Sequence, residues 1–478
     1  MNETVSDMLA LCLRSVRTAA FWGVAAILLL IIPLPSLCAA GETPRPVQRK
    51  TLPSGLRVIV AEQPQSALVA LDLRVRVGSG RETAATNGTA HFIEHLVFKG
   101  TETRKRGEID QAMENMGGEL KAQTTRDATR FATVLPAAKW QDALGIIAEM
   151  ALHPAFRPED VTAEKKVILS ERAIARTEPT RAGFNTLTET VFDATDPYRL
   201  PLMGAEANIK AMTPDALRHF WQAWYRPENM VLAVAGNVTA AEVFALAEKL
   251  FPAAPTAGVA FTEPEKPATS DAALIATRSV ITDTGVVDLA TVFIGFRAPS
   301  VGDADSTAAV AGLVSLLADR ADLGRGQGRL ADALIRKQHL AISVTADYVA
   351  QTGQSLVMIA AVGKRTDAEK LEKALGDELR KLPGTGFSAA DAAQARQNLR
   401  IAGQSDGTVE GMASRLAGAE ILGLPDADID DPSLYAARLE RSVTPASLTA
   451  AARRYLSLDN SSVVVISPPA PVEQPVEP

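Results

Sequence analysis

The chain has 478 residues, 47% apolar, 22% charged and 5% aromatic, with a formal net charge of −7. That composition belongs to a globular protein and excludes a disordered, collagen-like or multi-span membrane chain. With 49 Lys and Arg against 56 Asp and Glu and no long basic run, a dedicated nucleic-acid binder is disfavoured as well.

Residues 1–40 read as an export signal. Arg14 and Arg17 precede an apolar run from Ala19 to Ile32, then Pro33, Pro35 and the small residues Cys38, Ala39 and Ala40. The run is shorter than the roughly 20 apolar residues that span a bilayer. The expected location is periplasmic or exported; the alternative is an uncleaved N-terminus anchoring the chain in the inner membrane, facing the periplasm. Leu37 is too large for a lipoprotein site before Cys38. Both cysteines, Cys12 and Cys38, lie in this segment, so a chain cut after Ala40 has none. Thiol catalysis and Cys-ligated metal then drop out, and any metal must be held by His, Asp and Glu.

Next along the chain, an alternating strand from Val69 to Val77 runs into Gly78-Ser79-Gly80 and a small-residue helix, Thr89-Ala90-His91-Phe92-Ile93-Glu94-His95. An amphipathic helix follows over Pro158–Arg176. Thr213-Pro214 opens another, as an N-cap followed by proline at the first helical position. Trp221 and Trp224, three apart on that helix, read as core. The strand Met230 to Ala235 and a helix over Ala240–Leu250 complete this half.

The pattern then repeats. A strand from Leu289 to Arg297 leads to a helix through Thr307 to Leu313; Thr444-Pro445 opens a helix, followed by a strand from Ser462 to Ile466. The offsets, 218 residues from Thr89 to Thr307 and 231 from Thr213 to Thr444, are those of a duplication with insertions. The expected fold is α+β: two homologous domains of about 200 residues, each a largely antiparallel sheet with helices packed on one face. The expected boundaries are 45–251 and 276–467, with a Pro/Ala/Thr-rich linker at 252–275 and a Pro-rich tail at 468–478. Gly324-Arg325-Gly326-Gln327-Gly328-Arg329 superficially suggests a phosphate cradle, but it lacks the Gly-Lys-Ser/Thr ending and reads as a turn.

Five histidines occur: His91, His95, His153, His219 and His339. His91 and His95, at i and i+4, project from one helix face at a separation that suits one metal ion. Glu94 flanks that face without needing to be a ligand. Zinc at such a pair lowers the pKa of its water to about 7, and Glu94 can take the proton. This is the H-x-x-E-H order, the reverse of the commoner H-E-x-x-H. The bland alternative is two surface histidines beside a solvated glutamate. Against it, the second copy has Ala309, Gly312 and Leu313 where the first has His91, Glu94 and His95. The polar trio thus occurs once, in an otherwise apolar helix, and desolvated polar groups need partners. A catalytic zinc takes three protein ligands; the helix from Pro158 offers Glu164 and Glu171, seven apart on one face, and composition does not choose between these and other carboxylates. His153 and His219 read as packing or surface residues.

These residues resemble the pitrilysin, insulin-degrading enzyme and mitochondrial processing peptidase group of zinc metallopeptidases. The likeness starts at Leu52-Pro53-Ser54-Gly55-Leu56, continues through Gly78-Ser79 and Glu82, and peaks over Gly88 to Thr101. It resumes at Glu164-Lys165, Val167 to Glu171, Gly204, Tyr225, Pro227, Asn229 and Met230. The resemblance implies one zinc per chain held by His91, His95 and Glu171, with Glu94 activating water and Glu164 supporting catalysis. It also implies a peptide or unfolded polypeptide substrate, added as an extended strand to a sheet edge near the zinc.

Two departures from the family stand out. Lys121 occupies the place of an asparagine that sits near the substrate backbone. It either shifts substrate preference or is simply solvated. Ile335 and Ile342 occupy the places of an Arg and a Tyr that hold the developing oxyanion in single-chain members, with Arg336 one register off. The expected partner is therefore a zinc-less paralogue supplying that Arg/Tyr pair in a heterodimer, as in the family's bacterial two-subunit type. The contrasting expectation is a non-catalytic scaffold subunit of an envelope complex.

Overall fold

Alternating apolar residues build two sheets. The first contains β1 (Gln48–Thr51), β2 (Arg57–Glu62), β3 (Leu68–Val75), β4 (Lys121–Thr124), β5 (Thr129–Pro136) and β6 (Met230–Gly236), in the order β1-β2-β6-β3-β5-β4. The second contains β7 (Thr277–Thr282), β8 (Leu289–Ala298), β9 (Ala341–Val349), β10 (Ser355–Lys364) and β11 (Ser461–Ser467), in the order β7-β11-β8-β10-β9. The computed structural model describes residues 46–253, 276–282, 288–318, 327–403, 407–426, 430 and 432–467. The expected export signal, nearly all of the expected linker, the first half of the glycine-rich turn and the tail lie outside them.

All strand pairs are antiparallel except β2 with β6 and β7 with β11. With β7 as the counterpart of β2, the two sheets share one strand order, and only β1 is extra. The duplication read from the sequence is therefore a duplication of topology, and the α+β class is borne out.

The helices used below are α1 (Thr89–Val97), α2 (Trp140–Leu152), α3 (Pro158–Thr177), α4 (Pro179–Val191), α5 (Pro214–Trp224), α6 (Ala240–Leu250), α7 (Ala304–Leu317), α8 (Ala368–Thr385), α9 (Val409–Leu422) and α10 (Pro445–Tyr455). Thr213 caps α5 by accepting from Ala216 N at 3.2 Å. Thr444 caps α10 by accepting from Ser447 N at 3.1 Å, and Ser447 Oγ reciprocates toward Thr444 N at 2.8 Å. Two Thr-Pro dipeptides thus start equivalent helices in the same way.

Each sheet packs its own half's helices on one face, as expected. Val58, Leu71, Leu73 and Leu232 meet Phe92, Ile93 and Leu96 of α1, Leu144 and Ile147 of α2 and Val243 of α6. The opposite face of each sheet is covered by a helix from the other half. β6 (MVLAVAG) is buried along its whole length: Met230, Leu232 and Val234 face the first core, while Val231, Ala233 and Ala235 face Ala413, Leu416 and Ala417 of α9. Conversely, Ala182 and Leu187 of α4 pack on Phe293, Val464 and Ile466 of the second sheet. That contact needs glycine on both sides. A Cβ on Gly183 would stand 2.2 Å from Phe293 Cε2, and one on Gly295 would stand 2.8 Å from Leu187 Cγ.

Polar contacts fix the exchange. Arg57 and Arg76 reach buried Glu420 of α9 at 2.8 and 3.0 Å, and Arg74 donates to the Ser414 carbonyl at 2.8 Å. Elsewhere between the halves, Asp127 accepts from Tyr198 Oη and Thr352 N at 2.5 and 3.1 Å, and Gly353 N donates to Tyr198 Oη at 2.9 Å.

Candidate metal centre

Helix α1 begins without a side-chain cap from its own N-cap residue, Gly88. Glu82, in the preceding turn, does that work. Its Oε2 accepts from Gly88 N at 2.8 Å and Asn87 Nδ2 at 2.9 Å, and its Oε1 accepts from Ala90 N at 2.7 Å. Burial pushes the Glu82 carboxyl up to about 7, against the pull of these donors. Gly88 has φ +101°, and a Cβ there would stand 2.8 Å from Gly204 Cα. Two glycines quoted above as part of the family pattern are thus a backbone-to-backbone contact that seats the helix.

Phe92, Ile93, Leu96 and Val97 of α1 are fully buried, which turns His91, Glu94 and His95 toward α3 and β4. The two imidazoles have centroids 4.7 Å apart. Glu171 Oε2, from α3, lies 3.8 Å from His91 Nε2 and 3.4 Å from His95 Nε2. Ligating atoms of these three residues all fall within 4.8 Å of one another, the one such metal-capable cluster among the described residues. Tetrahedral N and O donors about 2.1 Å from a zinc ion stand roughly 3.4 Å from each other. The donor set and its spacing fit that ion.

Glu164, one helical heptad before Glu171, is nearly fully buried behind the cluster. Its Oε2 is 3.1 Å from His95 Nδ1, its Oε1 is 3.1 Å from Lys99 Nζ, and Arg106 lies at 3.8 Å. A proton on His95 Nδ1 donated to Glu164 leaves Nε2 pointing at Glu171, the orientation a metal ligand needs.

The electrostatics divide the two histidines. Burial, reinforced by the nearby His95, lowers His91 to about 4, so His91 is neutral at neutral pH. Burial also pulls His95 down, but hydrogen bonds to Glu164 and Glu171 outweigh it and raise His95 to about 9. Glu171 is lowered by its bond to His95. Burial would raise Glu164, yet His95 and Lys99 together hold it below its ordinary value. Glu94 is raised by burial, and its Oε2 accepts from Thr124 Oγ1 of β4 at 2.5 Å.

The remaining sequence candidates lie elsewhere. His153, His219 and His339 are exposed. Lys121, on β4, is exposed and sits 3.3 Å from Glu410 of α9, so it is solvated but paired across the halves. Ile342 lies exposed on the edge strand β9 and Ile335 packs against the second core. In α7 the counterparts Ala309, Gly312 and Leu313 are buried, and a Cβ on Gly312 would approach Val443 to 3.0 Å; apolar packing fills the face that α1 leaves polar. Trp221 and Trp224 are not core. They are half-buried against its margin, with Trp221 Nε1 donating to the Ala151 carbonyl at 2.8 Å. Glu82, Lys99 and Thr124 carry no role that the sequence by itself reveals. The only sequence signal for the first two was their place in the family pattern.

A family model described as insulinase (peptidase family M16) matches residues 57–206, and one described as the peptidase M16 inactive domain matches residues 211–399. An uncharacterized zinc protease of Mycobacterium leprae is 36% identical over 205 residues, 43% of this chain and 46% of that protein. The matched region thus spans less than half the length of that relative. A protease from Helicobacter pylori of known crystal structure superposes with a TM-score of 0.78 at 24% identity, covering 89% of this chain and 100% of that one. The periplasmic protease PqqL from Escherichia coli superposes with a TM-score of 0.71 at 21% identity, covering 89% of this chain and 49% of that one. Two models of one family, matched end to end around the His91–His95 helix and on into the second half, make this chain a member of the insulinase family, peptidase family M16.

Proposed function

We propose that the protein is a zinc-dependent endopeptidase that hydrolyses peptides or unfolded segments, and that it is the catalytic subunit of a heterodimer. The observation that carries the reading is the convergence of His91 and His95 from α1 with Glu171 from α3, beside a half-buried Glu94. A zinc ion held by those three side chains supplies a Lewis acid and a water acidified to a pKa near 7.

The chain's own residues do the rest. Glu94, raised by burial, takes the proton of the attacking water and returns it to the departing amine. Glu164 fixes the ring of His95 through Nδ1. β4 is the last strand of its sheet, so its outer N–H and C=O groups are open to an extended peptide, which would lie alongside α1. The oxyanion donors come from a zinc-less paralogue, because Ile342 and Ile335 offer no hydrogen-bond donor. PqqL, about twice the length of its match to this chain, supports a pairing of two such units. The chain works in the periplasm or outside the cell, released or held by its N-terminus.

The test is cleavage of a quenched fluorogenic peptide by the zinc-loaded chain, alone and with a candidate zinc-less paralogue. Glu94→Gln should keep zinc and lose activity by about 10²- to 10⁴-fold. Cleavage by that variant at the parental rate would overturn the mechanism. Full activity from the lone chain would overturn the heterodimer.

A further inference from the structure

The base needs to be aimed, and the structure shows what aims it. A glutamate on an exposed helical turn has three rotatable bonds, whereas a general base must hold one oxygen on the attacking water. Resting on the peptidase reading above, we infer that Thr124 is the positioning residue for Glu94. Its hydroxyl donates to Glu94 Oε2 at 2.5 Å. With Oε2 held in that bond, Oε1 is the oxygen left for the attacking water.

Thr124 is itself fixed. It is 5% exposed and pairs with Thr129 in the last register of β4 with β5. The hairpin closes immediately beyond it, with Thr125 N donating to the Ala128 carbonyl at 2.8 Å. Thr129 Oγ1 donates to the Val77 carbonyl at 2.8 Å, and the buried Arg126 donates to Ser79 Oγ at 2.9 Å. The hydroxyl therefore rests on a braced strand end rather than on a loop. That strand is also the sheet edge on which the substrate is proposed to lie, so the same element sets both base and peptide.

The experiment compares the parent, Thr124→Val, Thr124→Ser, Glu94→Gln and the double variant Glu94→Gln with Thr124→Val. Each is zinc-loaded and assayed on one fluorogenic peptide, under the subunit pairing that gives the parent its activity. Thr124→Val should lower kcat by about 10- to 100-fold with KM and bound zinc unchanged. Thr124→Ser should stay within about threefold of the parent, and the double variant should be no worse than Glu94→Gln alone. An active parent with Thr124→Val at the parental rate, equal losses in the Ser and Val variants, or loss of zinc from Thr124→Val would each overturn the positioning role and leave the peptidase reading standing. A parent inactive with and without its paralogue would overturn both.

Discussion

His95 is the residue on which the centre turns, because it faces two carboxylates at once. Glu164 holds its Nδ1 at 3.1 Å and Glu171 approaches its Nε2 at 3.4 Å. Glu164→Gln keeps the shape but gives up the charge. It should weaken zinc binding by about 10- to 100-fold, read by competition with a chromophoric chelator. The pH dependence follows from the same ring. Zinc must displace the proton that His95, raised to about 9, retains at lower pH, whereas His91, lowered to about 4, carries none near neutrality. Apparent zinc affinity should therefore fall about tenfold for each pH unit below 9, down to about pH 5; a flat profile over pH 6–8 would contradict the assignment. His91, Glu94 and His95 were legible in the sequence because i, i+3 and i+4 share a helix face whatever the fold. Glu171 was not, without the family likeness. Helical periodicity says which carboxylates share a stripe but not which stripe another helix will face, and that depends on where α3 docks.

Among the elements, α1 is the one whose placement is most exacting. Its N-terminus is capped by a carboxylate six residues upstream of Gly88 and wedged against Gly204. Gly88→Ala adds a Cβ at φ +101°, 2.8 Å from backbone, and should cost more than about 2 kcal/mol of stability. A lowered urea midpoint together with lost zinc would show it; a variant matching the parent in both would refute it. The strands β3, β6, β8 and β11 and the helices opened by Thr-Pro could be read directly, since alternation and caps are local signals, whereas the remaining strands carry no comparable local mark. The indoles of α5 lie at the margin of the core rather than in it, because spacing fixes a helix face but not how deep that face is buried. Likewise nothing local in α9 (VEGMASRLAGAEIL) says that its small residues close the first sheet rather than its own.

Across the whole molecule, that helix exchange makes the halves interdependent. Each leaves an apolar sheet face open until the other supplies a helix, so neither half should unfold by itself. Tryptophan offers a clean check, because Trp140, Trp221 and Trp224 all lie in the first half and the second half has none. Unfolding followed by tryptophan emission and by far-ultraviolet circular dichroism should give coincident urea transitions; an earlier fluorescence-silent step would mean that the second half melts alone.

The join between α3 and α4 has a mechanical consequence. Only Glu178 separates the helix bearing Glu171 from the helix clamped onto the second sheet at Gly183 and Gly295. Under the zinc reading, the third ligand, Glu171, is therefore geared to the second half, whereas the two imidazoles sit on α1. A tilt of the second half, such as an incoming subunit could force, would swing one carboxylate while the imidazoles stay still, loosening or tightening the hold on a bound ion from afar.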